Sequence, residues 1–289
     1  MTNALTIDVE DYFHVAAFAG VVRRDHWDSY PRRVERNTGR VLELLSQHGV
    51  RATFFVLGWV AEKFPGLVRA IREAGHRVGC HGYAHEMVYR NTPEEFRADI
   101  RKAKGLLEDA IGGAVESFRA PSYSITAESL WALEILGAEG FTHDSSIFPI
   151  VHDQYGIRAA RRFPHTKVLK SGRRIKEFPP STVRLCGINF PVAGGGYLRL
   201  APYAATSWAI RHINLVERQP AMVYVHPWEL DPDQPRIAAP WLSRFRHYQN
   251  LESTETKLKK LLERFSFAPM EEVLATYCKE ESPATGEPL

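Results

Sequence analysis

An α/β fold, with parallel strands and helices packed outside them, is what this 289-residue sequence predicts. Three observations carry that expectation. Short β-rich apolar runs alternate with segments of helical period over the first half of the chain, glycine marks most of the junctions, and a charged or titratable residue closes several of the runs. This order suits either an open doubly wound sheet or a barrel.

Ala4 to Asp8 is a short apolar run ending in a carboxylate, which suits a buried strand starting almost at the N-terminus. Val34, Val41, Leu42, Leu44 and Leu45 recur at roughly helical spacing, and Gly49 closes that helix. Ala52 to Leu57 reads as a strand stopping at Gly58. One helix is expected through Val60, Phe64, Leu67, Ile71 and Ala74, then a strand from Val78 to Cys80. Thr92-Pro93-Glu94-Glu95 combines an N-cap, Pro at the first helical position and a capping-box Glu. Phe96, Ile100, Ala103, Leu106, Leu107 and Ile111 form the apolar face of that helix, and Gly112-Gly113 ends it. Val115 to Phe118 reads as a strand, Ser129 to Leu136 as a helix and Phe141 as the start of another strand.

From about residue 147 the period changes. Val168 to Phe178 and Val183 to Leu200 read as strand segments broken by Pro179-Pro180 and Gly194-Gly195-Gly196. A helix from Tyr203 to Val216, a strand from Ala221 to Val225 and helices from Thr254 to Phe265 and Met270 to Tyr277 follow. Residues 279–289 read as a disordered tail. No repeat or sharp shift in composition marks a linker. One domain over residues 1–278 is therefore expected, with extra strands and loops in its C-terminal half.

Composition narrows the function classes. With 44% hydrophobic and 25% charged residues the chain is an ordinary globular one. A net charge of +3 is too mild to argue for nucleic acid. The N-terminus carries three carboxylates by residue 11 and no basic n-region, so no secretory leader is expected there. No run approaches the ~18 apolar residues of a membrane span. Cys80, Cys186 and Cys278 are too few and scattered for a disulfide framework or a cysteine zinc site. A cytoplasmic protein is the expectation.

Four segments carry chemistry. His81-Gly82-Tyr83-Ala84-His85 places two histidines at i, i+4, which on a helical turn share one face and could grip one metal; a surface pair is the bland alternative. Asp8-Val9-Glu10-Asp11 packs three carboxylates at a strand end, where they repel unless a cation or donor compensates; the bland reading is a polar strand end with Asp11 capping a helix. Two histidines and a carboxylate make a facial metal site with open positions, and a second carboxylate could take a proton from water. Arg119 and His226 each close a further strand. A salt-bridging Arg and a structural His are the ordinary readings, against an Arg that orients a catalytic carboxylate and a titrating His. Tyr12, Phe13, His14 and Trp228 could offer a sugar a stacking surface, or be buried aromatics.

The ordered set Thr-Ile-Asp-Val-Glu-Asp, His-Gly-Tyr-Ala-His, Phe-Arg-Ala-Pro-Ser-Tyr, His-Asp-Ser-Ser and Val-His-Pro-Trp resembles the polysaccharide deacetylases, over about residues 4 to 278. Phe190 to Tyr197 and Phe245 to Glu252 resemble a narrower branch, the exosortase-associated deacetylases found with exopolysaccharide gene clusters. The resemblance implies a distorted (β/α) barrel, one divalent metal, usually Zn²⁺, and an acetylated oligo- or polysaccharide substrate, free or lipid-linked. It implies Asp8 as general base, His81 and His85 as metal ligands, Arg119 as partner of the base and His226 as general acid. It further implies the backbone N–H near Tyr123 as oxyanion donor and Asp144 as support for the active-site histidine. The third ligand departs from the commoner pattern of two adjacent Asp residues. Strand alternation favours Glu10, on the face of Asp8, whereas a turn after Asp8 would bring in Asp11. A cyclic-amide hydrolase of the same fold and a non-catalytic carbohydrate binder are the rival readings. The intact histidine pair speaks against a metal-free version of the first, and the presence of Asp8 and His226 against the second.

Overall fold

The computed structural model describes residues 1–152, 154–192 and 194–278, so the expected tail at 279–289 and Ala193 lie outside the described residues. The first half alternates as expected: β1 (Thr2–Val9), α1 (Val34–Gln47), β2 (Thr53–Val56), α2 (Gly58–Lys63), α3 (Pro65–Glu73), β3 (Arg77–Cys80), α4 (Pro93–Ile111), β4 (Ser117–Phe118), α5 (Trp131–Ala138) and β5 (His143–Asp144). The second half holds β6 (His165–Val168), β7 (Arg174–Glu177), β8 (Thr182–Leu185), β9 (Ile188–Pro191), α6 (Gly195–Leu200), α7 (Tyr203–Leu215), β10 (Met222–Val225), α8 (Trp241–Tyr248), α9 (Leu251–Arg264), β11 (Ser266–Ala268) and α10 (Met270–Tyr277).

Nine strands form one sheet in the order β10-β1-β2-β3-β4-β5-β7-β6, with β11 also pairing to the start of β1. Every pairing is parallel except β6 with β7. The sheet curls without closing, an open and distorted barrel with helices outside it. β1 lies inside the sheet, flanked by β10 and β2. Ala4, Leu5, Ile7 and Val9 are all solvent-free, as a parallel strand covered on both faces requires. Because the strands run the same way, Asp8, His81, Arg119, Asp144, Glu177 and His226 all emerge at one edge of the sheet. Parallel α/β sheets keep their binding sites at this carboxyl edge.

Local rules explain most boundaries. Thr92 and Glu95 form the expected capping box, and Gly112 ends α4 in the left-handed conformation. The single helix expected through residues 60–74 is two helices. Pro65 has no N–H to donate and pushes Phe64 out of the helical region, so the chain turns there and restarts with Pro at the first position. Tyr197 to Leu200, expected as strand after the Gly194-Gly195-Gly196 break, belongs to helix α6. α8 was not foreseen, because its apolar residues Trp241, Leu242 and Phe245 face outward. They leave no inward apolar stripe for the periodicity to reveal.

Candidate active site

Asp8 is the last inward residue of β1 and is 2% exposed. Its Oδ1 accepts a 2.6 Å bond from Arg119 Nη1, and Arg119, at the end of β4, is itself fully buried. The guanidinium also donates to Thr6 Oγ1 at 2.8 Å and to Ser145 Oγ at 2.9 Å. It lies over the Phe55 ring, 4.3 Å from its centroid. Arg119 is thus fixed by two strands and one aromatic face, and its charge is directed at Asp8. A paired, hydrogen-bonded geometry of this kind is what makes a buried charge tolerable.

Two residues further, Glu10 meets the histidine pair. Ligand-type atoms of Glu10, His81 and His85 all lie within 4.8 Å of one another, and all three residues are buried. His81 Nδ1 stands 2.8 Å from the Arg119 carbonyl. A carbonyl can only accept, so the neutral ring carries its proton on Nδ1 and offers the Nε2 lone pair. Burial first, and His85 with it, pushes His81 down to about 4, so the ring is neutral at pH 7. Burial would raise Glu10, but His85, His226 and His81 outweigh it and hold the carboxyl well below its usual range. Glu10 Oε1 accepts the Trp228 indole N–H at 3.1 Å. Its Oε2 is buried, 2.9 Å from His85 Nε2, and receives no well-aligned hydrogen bond. An anionic oxygen without a donor, beside two imidazole nitrogens, fits a divalent cation of borderline softness such as Zn²⁺.

The pair is not on a helix. Residues 81–87 form a loop in which Gly82 and His85 take positive φ of 71° and 51°. The spacing therefore brings the rings together, 5.5 Å apart, by a different backbone path from the helical turn the sequence suggested. Asp11 is the residue the structure sends elsewhere. Its carboxylate accepts from the Arg33, Val34 and Tyr12 backbone N–H groups and caps the start of α1. The strand pattern, not a turn, decides which carboxylate joins the histidines.

His226 faces the two carboxylates from β10, with Nε2 at 3.9 Å from Asp8 Oδ2 and 3.7 Å from Glu10 Oε1. Its other nitrogen stands 3.1 Å from Glu229 Oε2. Burial pushes His226 down, but Glu229, Glu10 and Asp8 together raise it to about 9. Glu229 is fixed in turn by Arg199 Nε at 2.7 Å and by the His226 backbone N–H at 2.9 Å.

Asp144, expected behind the histidine, is not there. It lies at the end of β5, accepts from Ser146 Oγ at 2.6 Å and pairs in register with Glu177 of β7. Sequence reasoning missed the role of Glu229, although His226-Pro227-Trp228-Glu229 has the N-cap and third-position acid of a capping box. Arg199 and His247 carried no sequence signal.

Other expectations are redirected as well. The Tyr123 backbone N–H donates to the Ala120 carbonyl at 3.0 Å and is not available to an oxyanion. The adjacent Ser122, at φ 51°, has a backbone N–H with no acceptor among the described residues. Trp228 is not an open stacking surface, because its ring is stacked between His226 and His247, with centroids 5.2 and 4.2 Å away. Tyr12 is fully buried. His14 is boxed by Trp27 and Trp59, and its Nδ1 accepts the Asp11 backbone N–H at 2.9 Å. It lines, together with His85, a cavity of about 480 Å³. Among the described residues, no helix is long and apolar enough to cross a membrane.

Comparison with known proteins agrees with this geometry. Over 98 residues the chain is 40% identical to a peptidoglycan-N-acetylglucosamine deacetylase of Bacillus cereus, covering 34% of this chain and 36% of that enzyme. Over 100 residues it is 34% identical to a chitooligosaccharide deacetylase of Azorhizobium caulinodans, covering 34% of this chain and 45% of that protein. The chain thus spans less than half the length of either. In three dimensions it resembles the crystal structure of a Mycobacterium smegmatis protein named as a polysaccharide deacetylase, with a TM-score of 0.61 at 18% identity over 98% of this chain and 93% of that one. At that identity the likeness speaks for the fold. Residues 145–275, which contain His226 and Glu229, match a domain of unknown function (DUF3473). Residues 26–141, which contain His81, His85 and Arg119, match the model of the polysaccharide deacetylase family.

Proposed function

We propose that the protein is a divalent-metal hydrolase, with Zn²⁺ the fitting ion, that removes acetyl groups, N-acetyl foremost, from an oligo- or polysaccharide of exopolysaccharide biosynthesis. The observation that carries the reading is the convergence of three functions on one carboxyl edge: Asp8 paired to Arg119, the Glu10–His81–His85 cluster, and His226 backed by Glu229. A divalent cation held by Glu10, His81 and His85 would supply Lewis acidity at the scissile carbonyl.

The chain's own residues account for the proton movements. Asp8, oriented by Arg119, accepts a proton from the attacking water as its oxygen bonds to the acetyl carbon. His226, kept charged by Glu229, gives its proton to the amine nitrogen as the C–N bond breaks. Acetate and a free amino sugar leave. The Ser122 N–H is the uncommitted donor on the turn after β4 and stands where the Tyr123 N–H was expected to serve.

The test joins metal analysis to acetate release from N-acetylglucosamine oligomers. The protein should hold about one divalent ion, and His81→Ala or His85→Ala should lose both ion and activity. Full metal occupancy in the double variant, or acetate release that survives chelation, overturns the reading.

A further inference from the structure

A second cavity lies apart from the Glu10–His81–His85 cluster. It lies between the 149–165 loop and the β8–β9 hairpin and measures about 970 Å³, at the upper end of ligand-pocket sizes. Its walls are of two kinds. Ile150, Phe163 and Ile188 are apolar, while Arg158 and Arg184 are cationic, and no carboxylate is present among its described lining residues. Arg161 and Arg162 line it as well, and Arg162 is already committed, donating to Thr182 Oγ1 at 3.0 Å and Glu217 Oε1 at 2.6 Å. Arg158 and Arg184 make no ion pair among the described residues and are exposed. Positive groups gathered in a concave, partly apolar site, with no carboxylate among its described lining residues, raise the local concentration of anions.

The apolar surface does not stop at the rim. Val151 is 75% exposed, Ile188 55%, Phe190 46% and Leu185 44%. Single exposed apolar residues need no explanation, but Val151 and Ile188 line the cleft, and Leu185 and Phe190 extend the apolar surface along the β8–β9 hairpin beyond it. A second copy of this chain would bring arginine against arginine, so charge argues against self-association as the cover. A neutral sugar would leave the cations uncompensated. We propose that this cleft binds an amphiphilic anion, its phosphate or carboxylate head between Arg158 and Arg184 and its apolar chain along Ile150, Val151 and Ile188. The cleft adjoins the active site, because Ile150 also packs with Tyr123 and Tyr224. A head group held there would set a bound molecule beside the wall that carries Arg119.

The proposal goes beyond the deacetylase reading, and a binding measurement reads it even in an inactive enzyme. The full chain is titrated calorimetrically with decyl phosphate below its micelle concentration, with decanoate, with inorganic phosphate, and with decyl maltoside as a neutral molecule of the same chain length. Decyl phosphate should bind at one site, at least about tenfold more tightly than phosphate or the maltoside, as a charge-assisted contact added to apolar burial predicts. Decanoate at equal affinity would assign the site to any anionic head, and weaker binding would assign it to phosphate. Arg158→Ala with Arg184→Ala should weaken decyl phosphate about tenfold or more and abolish its salt dependence. Ile188→Asp should weaken decyl phosphate and leave inorganic phosphate unchanged. All three positions are exposed, so folding is not at stake, and thermal melts verify it. Equal binding of decyl phosphate and decyl maltoside, or no change in the double arginine variant, overturns the proposal.

Discussion

Two pairs of carboxyl groups stand at the same edge of the same sheet, and they are treated in opposite ways. Asp8 and Glu10, at the end of β1, are each 2% exposed; Asp144 and Glu177, at the ends of β5 and β7, are each 1% exposed. Burial alone disfavours the anion at all four. The first pair is met by Arg119 and by three histidines. The second pair meets a serine hydroxyl and the Ile147 backbone N–H, and no ion pair among the described residues. Burial raises Asp144, and burial together with the Asp144 charge raises Glu177 well above the usual range, so the two share a proton. Position in the fold sets desolvation, and counter-charge decides whether a carboxyl becomes a reactive anion or an inert acid.

The largest contrast should appear in turnover. Asp8→Asn should cut acetate release by ~10²–10⁴, the usual contribution of a positioned acid or base, with the metal still bound. Asp144→Asn should change it little, since that group does not reach His226. Comparable losses in the two variants would erase the distinction. Next is stability. Arg119→Met takes the hydrogen-bonded guanidinium from buried Asp8 and leaves it only His226, 3.9 Å away, and removing one partner of a buried pair costs about 3–5 kcal/mol. Urea unfolding at pH 7 measures it, and a loss under about 1 kcal/mol would mean that Asp8 is not an anion in the folded protein.

A smaller effect is expected at Glu229. His226 acts in its protonated form, and its raised value of about 9 depends on Glu229 outweighing burial. Glu229→Gln removes that charge, so the pKa falls and the alkaline limb of the pH–activity profile should move to lower pH by about 1–2 units. Activity near pH 6 should be largely kept. An unmoved alkaline limb would assign that limb to another group.

How much of this was legible follows from which forces are local. The capping box of α4, the apolar runs of β1 and β2, and residues 270–277 of α10 are short-range patterns, and they read correctly. Alternation along β1 likewise pointed Glu10 to the face of Asp8. The i, i+4 histidines were found although their backbone is a loop, since spacing limits their separation whatever the conformation. Asp144 was misplaced because nothing near His143-Asp144-Ser145-Ser146 reveals that the next strand in the sheet ends in Glu177. Whether Trp228 is a stacking surface or a buried ring could not be read from sequence, because the residue covering its far face, His247, belongs to a helix with its apolar side outward. Side-chain neighbours across the sheet are a tertiary property, and a single sequence holds them only where a local motif, such as His226 to Glu229, encodes them.

The Asp144–Glu177 pair supplies the finest test, because its predicted effect is small and opposite in sign to that at Asp8. The folded pair holds a proton that is released when the chain unfolds, where the ordinary values of the two groups are 3.8 and 4.5. Native protein therefore binds more protons than unfolded chain as pH rises through that range. The pair's contribution to stability is complete below the unfolded values and is lost progressively until the raised folded values are passed. Glu177→Gln removes one titrating group. Its amide oxygen can still accept the Ile147 N–H, now 3.1 Å from Glu177 Oε1, and its NH₂ can donate to Asp144 in place of the shared proton. The variant should match the native protein near pH 5 and exceed it at pH 8 by about 1–2 kcal/mol, within the range seen when uncompensated buried charge is removed. Urea unfolding of both proteins at the two pH values isolates the difference, because every other titrating group is common to them. A variant less stable by more than about 3 kcal/mol at pH 8 would mean that Glu177 is needed as an anion, and that a cation rather than a shared proton joins it to Asp144.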